Sequence, residues 1–177
     1  MNSTREVQLS FYEEKYLETL RAFELPVTQA QFTAMPENLL TVADGQYRIV
    51  ILSEEIPVGF FLLHNTARVS EYTSNPHAML LTALSINHNQ QGQGYAKKAM
   101  LELGAFVSSN FKECNEIILA VNHKNIAAQN LYKNVGFIDT GRRKVGKIGE
   151  QLVMQLTISI VLRNSSLLTS FFLLQEV

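Results

Sequence analysis

The sequence predicts a mixed α/β (α+β) domain built around one sheet, and three features carry that reading. Strand-like and helix-like segments alternate through the middle of the chain but not at its ends, the pattern of strands and helices sharing one core. Met79 to Ile86 is a nearly continuous apolar run of strand length, broken only by Thr82 and Ser85, as a central strand covered on both faces reads. The 177 residues are 46% apolar and 18% charged. That length favours one domain with a full core, and the composition argues against global disorder.

The elements follow in order. Val7, Leu9 and Phe11 alternate with polar residues and predict a short strand. Tyr16, Leu17, Leu20 and Phe23 have helical spacing, which predicts a helix from Tyr12 to Phe23. Pro26 ends it, and Thr28 is placed to cap a second short helix running through Phe32 to Met35, stopped by Pro36. Tyr47–Leu52 and Val58–His64 read as a hairpin joined through Ser53 to Pro57. Ala67 to Pro76 reads as a loop and precedes the central strand. Asn87 to Gly94 has no apolar side chain, and a helix opens at Tyr95 with Ala96, Met100, Leu103 and Phe106 on one face. Ile117–Val121 is a second buried strand. Asn125 to Asn134 is a helix closed by Gly136, a residue suited to the left-handed position past a helix end. Phe137–Arg143 and Leu152–Thr157 read as the last strands.

Composition narrows the function. Lys and Arg total 15 against 16 Asp and Glu, a net charge of -1, which argues against coating nucleic acid or an anionic membrane. Neither partner is expected. A single cysteine, Cys114, excludes an intrachain disulfide and a multi-cysteine zinc site. His64, His77, His88 and His123 include no pair at i, i+4 spacing, so no metal is expected. With no signal-like segment after Met1 and no apolar run of about 18 residues, a cytoplasmic address is the expectation.

The chemistry concentrates at Gln91-Gly92-Gln93-Gly94-Tyr95-Ala96, which follows a buried strand and opens a helix. A helix start presents unpaired N–H groups and about half a positive charge. Glycines let backbone approach an anion, so the segment suits a diphosphate; a lone Gly-x-Gly is equally a plain turn. The dinucleotide fingerprint fails because Lys97 stands where its third glycine belongs. The P-loop fails because Tyr95-Ala96 stands where Lys-Ser/Thr is needed.

The hexad resembles the acyl-CoA loop of the GNAT acetyltransferase family, Gln/Arg-x-x-Gly-x-Gly/Ala, with Gln91, Gly94 and Ala96 at its specified positions. Asn122-His123-Lys124-Asn125-Ile126-Ala127-Ala128, Leu131-Tyr132 and Gly136-Phe137 resemble the same family's second signature, in the expected order. In architecture the resemblance runs from about Val7 to Ile158. It implies residues 1–158 as the acetyltransferase domain, with a twisted mixed sheet splayed between its fourth and fifth strands. It implies acetyl-CoA as cosubstrate, with its pantetheine arm in that gap on backbone groups of Leu84 and Ile86. The diphosphate would lie on the amides of Gln91, Gly92, Gln93, Gly94, Tyr95 and Ala96. Asn125, a helix cap on its own reading, is a further CoA contact by resemblance.

By the same resemblance Tyr132 is the catalytic residue, protonating the departing CoA thiolate; a phenol with a pKa of about 10 holds its proton at pH 7. Taken alone it also reads as a core tyrosine against Phe137. Many relatives carry a glutamate base on the fourth strand, where Thr82 stands here. Glu71, Tyr72, His77 and His88 are unranked candidates to act through water. The expected reaction is direct acetyl transfer to a primary amine, and the alternative is a non-catalytic acyl-CoA-binding or sensing module of the same fold. The acceptor, a small-molecule or peptide amine, is not legible. The walls expected to border it hold Glu13, Glu14, Glu18 and Glu24 on one side, which read first as a solvated helix face and otherwise as a surface for a polyamine. The other is a basic loop, Gly141 to Gly149, with Arg142, Arg143, Lys144 and Lys147. Residues 159–177 form an apolar extension. Burial of Leu167 to Leu174 on the domain or on a partner subunit is expected, with a homodimer as the favoured outcome.

Overall fold

The computed structural model describes residues 6–159. The extension at Leu167 to Leu174 and the homodimer expected from it lie outside the described residues. One seven-stranded sheet forms the centre. Its strands are β1 (Gln8–Phe11), β2 (Gln46–Ser53), β3 (Ile56–His64), β4 (Ala78–Ile86), β5 (Glu116–Asn122), β6 (Ile138–Gly146) and β7 (Gly149–Thr157). They lie in the order β1-β2-β3-β4-β5-β7-β6. Every neighbouring pair is antiparallel except β4 and β5. The helices are α1 (Leu17–Arg21), α2 (Val27–Ala30), α3 (Tyr95–Asn110) and α4 (Ile126–Asn134).

Alternation along the strands fills two faces. Ile49, Ile51, Phe61, Leu63, Met79 and Leu81 share a core with Met100 and Leu103 of α3 and Tyr132 of α4. On the opposite face, Val50, Leu52, Phe60 and Leu62 pack against Tyr16, Leu20 and Phe23. This double cover is why β2, β3 and β4 are apolar without a polar face. In α3 the buried stripe is Tyr95, Ala99, Met100, Leu103 and Val107, while Ala96 and Phe106 are partly buried at its edge.

Several expectations are corrected. The first helix is not continuous from Tyr12: a 3-10 turn at Glu14–Tyr16 leads into the five-residue α1. The second helix starts at Val27, with Pro26 before it, so Thr28 lies inside it rather than capping it. The hairpin connection shrinks to Glu54-Glu55, both at positive φ (52° and 65°). Ile56 and Pro57 pair with Ser53 and Leu52. That turn matches strand twist but normally draws Asn or Gly, so two glutamates give no sequence signal for it. Ala67–Glu71, read as loop, forms a 3-10 turn. The basic loop from Gly141 to Gly149 is strand: β6 runs to Gly146 and β7 starts at Gly149, leaving only Lys147-Ile148 to turn.

The feature that positions the site is the junction of β4 and β5. They pair only at Ala78–Glu116, Met79–Ile117 and Leu80–Ile118, then part. On the other side of β4, Leu62 pairs with Thr82 and Phe60 with Ser85, so Ala83 and Leu84 stand opposite Phe61 alone. That extra residue is a β-bulge, with Ala83 at φ 59°. A bulge bends its strand, here at the point where β4 leaves β5.

Candidate active site

The opening between β4 and β5 is a cleft of about 1020 Å³, lined by Leu81 to Ile86 on one strand and Leu119 to Asn122 on the other. Strand edges that part this way expose backbone N–H and C=O groups to whatever fills the gap. Leu84 and Ile86 both line it. The Ile86 carbonyl already accepts the Gln91 Nε2 proton at 2.9 Å.

One end of the cleft is the start of α3. Gly92, Gly94, Ala96 and Lys97 line it, while Gln93 is exposed and lies outside the lining. Gly92 and Gly94 have φ of +75° and +78°, and a Cβ at either would meet nothing within 4 Å. Glycine is therefore required by the left-handed backbone rather than by crowding. At this helix start the amides of Ala96 and Lys97 have no intrahelical acceptor, which leaves them for an anion. Gln91 plays another part. Its N–H is donated to the His88 carbonyl at 3.2 Å, and its side chain exchanges hydrogen bonds with Gln29 at 2.8 and 3.1 Å. With the bond to Ile86, Gln91 ties α2, the glycine turn and β4 together. Tyr95 is 2% exposed and its hydroxyl accepts from Ser53 at 3.4 Å, so its side chain belongs to the core.

The opposite wall comes from α4. Asn125 caps it, accepting the Ala128 N–H at 3.2 Å, and also lines the cleft. Asn122 organises the preceding turn, accepting from the Lys124 N–H at 2.9 Å. Tyr132 is both things the sequence allowed: its ring packs on Phe137 with centroids 5.4 Å apart, and it lines the cleft. Burial drives its phenol pKa well above the usual value. The phenol therefore stays protonated across the physiological range.

On the far side lie Leu25, Gln29, Phe32 and Thr33 from the α2 region, and Lys144 to Ile148 from the β6–β7 hairpin. Glu13, Glu14, Glu18 and Glu24 are not among the lining residues. Glu13 pairs with Lys15 and Glu18 with Arg21 on the surface. Arg142 and Arg143 are also outside it: Arg142 holds the Tyr72 carbonyl at 2.7 Å, and Arg143 holds Asp139. Of the four candidate bases, Glu71 and Tyr72 line the cleft, His77 borders a separate hollow, and His88 lines neither. Glu71 bonds Lys144 at 2.8 Å, and this partner holds its carboxyl below the usual range. A carboxylate so held is a weaker proton acceptor.

The glycine turn, the parted strands and the buried tyrosine thus border one cleft. The family model described as the acetyltransferase (GNAT) family matches residues 9–137. The chain belongs to the GNAT acetyltransferase family. A GNAT relative, the uncharacterized N-acetyltransferase YbbJ of Bacillus subtilis (strain 168), is 48% identical over 155 residues, which are 85% of this chain and 97% of that one. Two solved structures share the fold. Aminoglycoside acetyltransferase AAC(6')-Ib in complex with coenzyme A and kanamycin matches with a TM-score of 0.70 and 18% identity, covering 86% of this chain and 95% of that chain. Spermidine N-acetyltransferase from Vibrio cholerae in complex with CoA and spermine matches with a TM-score of 0.65 and 16% identity, covering 86% and 96%.

The two polar breaks that the sequence showed in β4 acquire surroundings in this GNAT cleft that the sequence did not show. Thr82 hydrogen-bonds the buried His64 ring at 2.6 Å, and Ser85 is a buried hydroxyl on the same strand. His64 and Thr82 are 18 residues apart, and only the register of β3 on β4 brings them together.

Proposed function

We propose that this protein is an acetyl-CoA-dependent N-acetyltransferase acting on a primary amine by direct attack. The observation that carries the reading is the single cleft in which the left-handed glycine turn of α3, the parted edges of β4 and β5, and the buried Tyr132 meet. These residues fit acetyl-CoA. The amides at the start of α3 and Lys97 suit its diphosphate, and backbone of Leu84 and Ile86 suits the amides of its pantetheine arm. Gly92, Gly94 and Ala96 supply close backbone, Asn125 borders the far wall, and Gln91 holds the turn in place.

Bringing amine and thioester together supplies proximity. Backbone N–H groups of β4 near the bulge are placed to polarise the thioester oxygen. Tyr132 stands by the departing sulfur with its proton in place. A buried phenol is a reluctant acid, so its O–H first stabilises charge growing on sulfur, and the proton follows. With Glu71 paired to Lys144, the ammonium proton leaves to water.

Kanamycin and spermine, in the complexes named above, are both polyamines. This cleft is lined instead by Arg68, Lys97, Lys144 and Lys147, with Glu71 as its lining carboxylate among the described residues. Such a wall favours an amine beside a neutral or anionic group, such as an amino acid or a peptide N-terminus, over a polycation. Thiol release from acetyl-CoA with polyamines, aminoglycosides, amino acids and short peptides tests both statements. The expected result is amine-dependent release, fastest with acceptors carrying a carboxylate. Tight CoA binding with no amine-dependent release would make the protein a binding module.

A further inference from the structure

A hydrogen-bond chain on the acceptor side of β4 goes beyond the family resemblance. His64, at the end of β3, is 1% exposed. Its Nε2 lies 2.6 Å from Thr82 Oγ1 and its Nδ1 lies 3.3 Å from Gln46 Nε2. The orientation of the Gln46 amide is set independently, because its Oε1 accepts the Ala43 N–H at 2.9 Å. The Gln46 NH₂ group therefore faces His64 Nδ1, which must be an acceptor, and the imidazole carries its proton on Nε2. Thr82 Oγ1 accepts that proton's hydrogen bond. Burial, with Arg68 as the charged group that bears on it, holds the ring neutral by lowering its pKa to about 4. So locked, His64 is a donor to Thr82 and not a base.

Register places the rest. His64 pairs with Leu80, Leu62 with Thr82, and Phe60 with Ser85. Paired residues share a sheet face, so Thr82 and Ser85, three apart across the bulge, point to the same side. Both line the cleft. Ser85 is 5% exposed, and its Oγ is buried without a hydrogen-bond partner among the described residues. A buried hydroxyl left unpaired is costly and calls for an external partner.

We propose that Thr82 and Ser85 form the acceptor-amine subsite, their hydroxyl oxygens taking the two N–H groups of the attacking amine, with His64 a positioning residue that holds Thr82 for it. The inference rests on the N-acetyltransferase reading and names the residues that meet its acceptor. A neutral primary amine has two N–H groups and one lone pair. Holding the first two leaves the lone pair for the carbonyl carbon. The C–N bond forms, the C–S bond breaks with its electron pair on sulfur, and the Tyr132 proton goes to sulfur. The proton shed by nitrogen passes to water in the open cleft, and the Tyr132 phenolate regains one from water.

The test uses the amine of the panel that the wild type acetylates fastest. Thr82→Val and Ser85→Ala should each raise its KM about 3–10-fold, the worth of one neutral hydrogen bond, with CoA affinity by calorimetry unchanged. His64→Phe should match Thr82→Val and add nothing when combined with it. His64→Gln, whose Nε2 can donate to Thr82, should restore the wild-type KM. Nitrogen-15 NMR on the wild type should show His64 as the Nε2–H tautomer from pH 5 to 8, a readout that survives if His64→Phe fails to fold. Unchanged acceptor KM in both hydroxyl variants would overturn the subsite. The Nδ1–H tautomer, or a folded His64→Gln as defective as His64→Phe, would overturn the positioning role. No amine-dependent thiol release by the wild type would remove the enzyme reading and the subsite with it, and is distinct from either result.

Discussion

Acidification should destabilise this protein through His64, and the size of the effect follows from the structure. The ring is buried on β3 between Gln46 and Thr82, and its pKa falls from 6.5 to about 4, burial being the larger cause and Arg68 the smaller. The unfolded chain binds a proton at His64 below pH 6.5, while the folded chain resists one until about pH 4. The unfolded state therefore holds more protons in that window, and stability falls as pH falls through it. Between pH 7.5 and pH 5 the loss is about 2 kcal/mol, approaching about 3 kcal/mol near pH 4, as an upper bound. Urea denaturation followed by circular dichroism at the two pH values measures it. The His64→Gln variant supplies the reference, because it keeps a polar side chain at the site and removes the titration. The wild type should lose about 2 kcal/mol more than the variant over pH 7.5 to 5. Equal pH dependence in the two proteins would refute the argument that His64 is held neutral.

Two further outcomes follow from the glycines. Gly94→Glu puts a carboxylate beside the α3 amides and a side chain at φ +78°; a Cβ there meets nothing within 4 Å. The fold should survive with a loss of about 1–2 kcal/mol, while calorimetry should show CoA binding abolished; unchanged affinity would move the diphosphate elsewhere. Gly59 of β3 pairs with Ile86 at the end of β4, and an added Cβ would sit 2.5 Å from Ile86 Cδ1 and 2.9 Å from the Ser85 carbonyl oxygen. Gly59→Ala should cost about 1–3 kcal/mol in urea denaturation, and wild-type stability would show that β3 and β4 are less closely apposed.

What the sequence made legible was local. The apolar run at Met79 to Ile86, the glycines at a helix start and the cap at Asn125 each declare themselves within a few residues, and the structure places them at one cleft. Periodicity also found β5 and α4 to within about one residue at each end, and the start of α3. The turn at Glu54-Glu55 was hidden because its residues are not those that favour positive φ. Both strands of the β6–β7 hairpin were legible, but their extension through Lys144 to Gly146 and from Gly149 to Gln151 was hidden because polar and charged residues on an exposed edge read as loop. The glutamates of α1 and its flanks allowed two readings, a solvated helix face and a wall facing a polyamine; the structure has the first, because tertiary packing decides which helix face meets a cleft. The bond between His64 and Thr82, set by strand register, and the commitment of Gln91 to Gln29 join residues 18 and 62 positions apart, which no short window contains. Tyr132 kept both its readings because one ring can pack on Phe137 and still border the cleft.

Replacing one oxygen tests the central claim most directly. Tyr132→Phe keeps the ring against Phe137 and removes the proton that is to reach sulfur. Steady-state thiol release with saturating acetyl-CoA and the preferred amine should show kcat lower by about 10²–10⁴-fold. The acetyl-CoA dissociation constant and the thermal midpoint should stay close to wild type. Wild-type kcat in Tyr132→Phe would return this residue to core packing and leave the cleft without its proton donor.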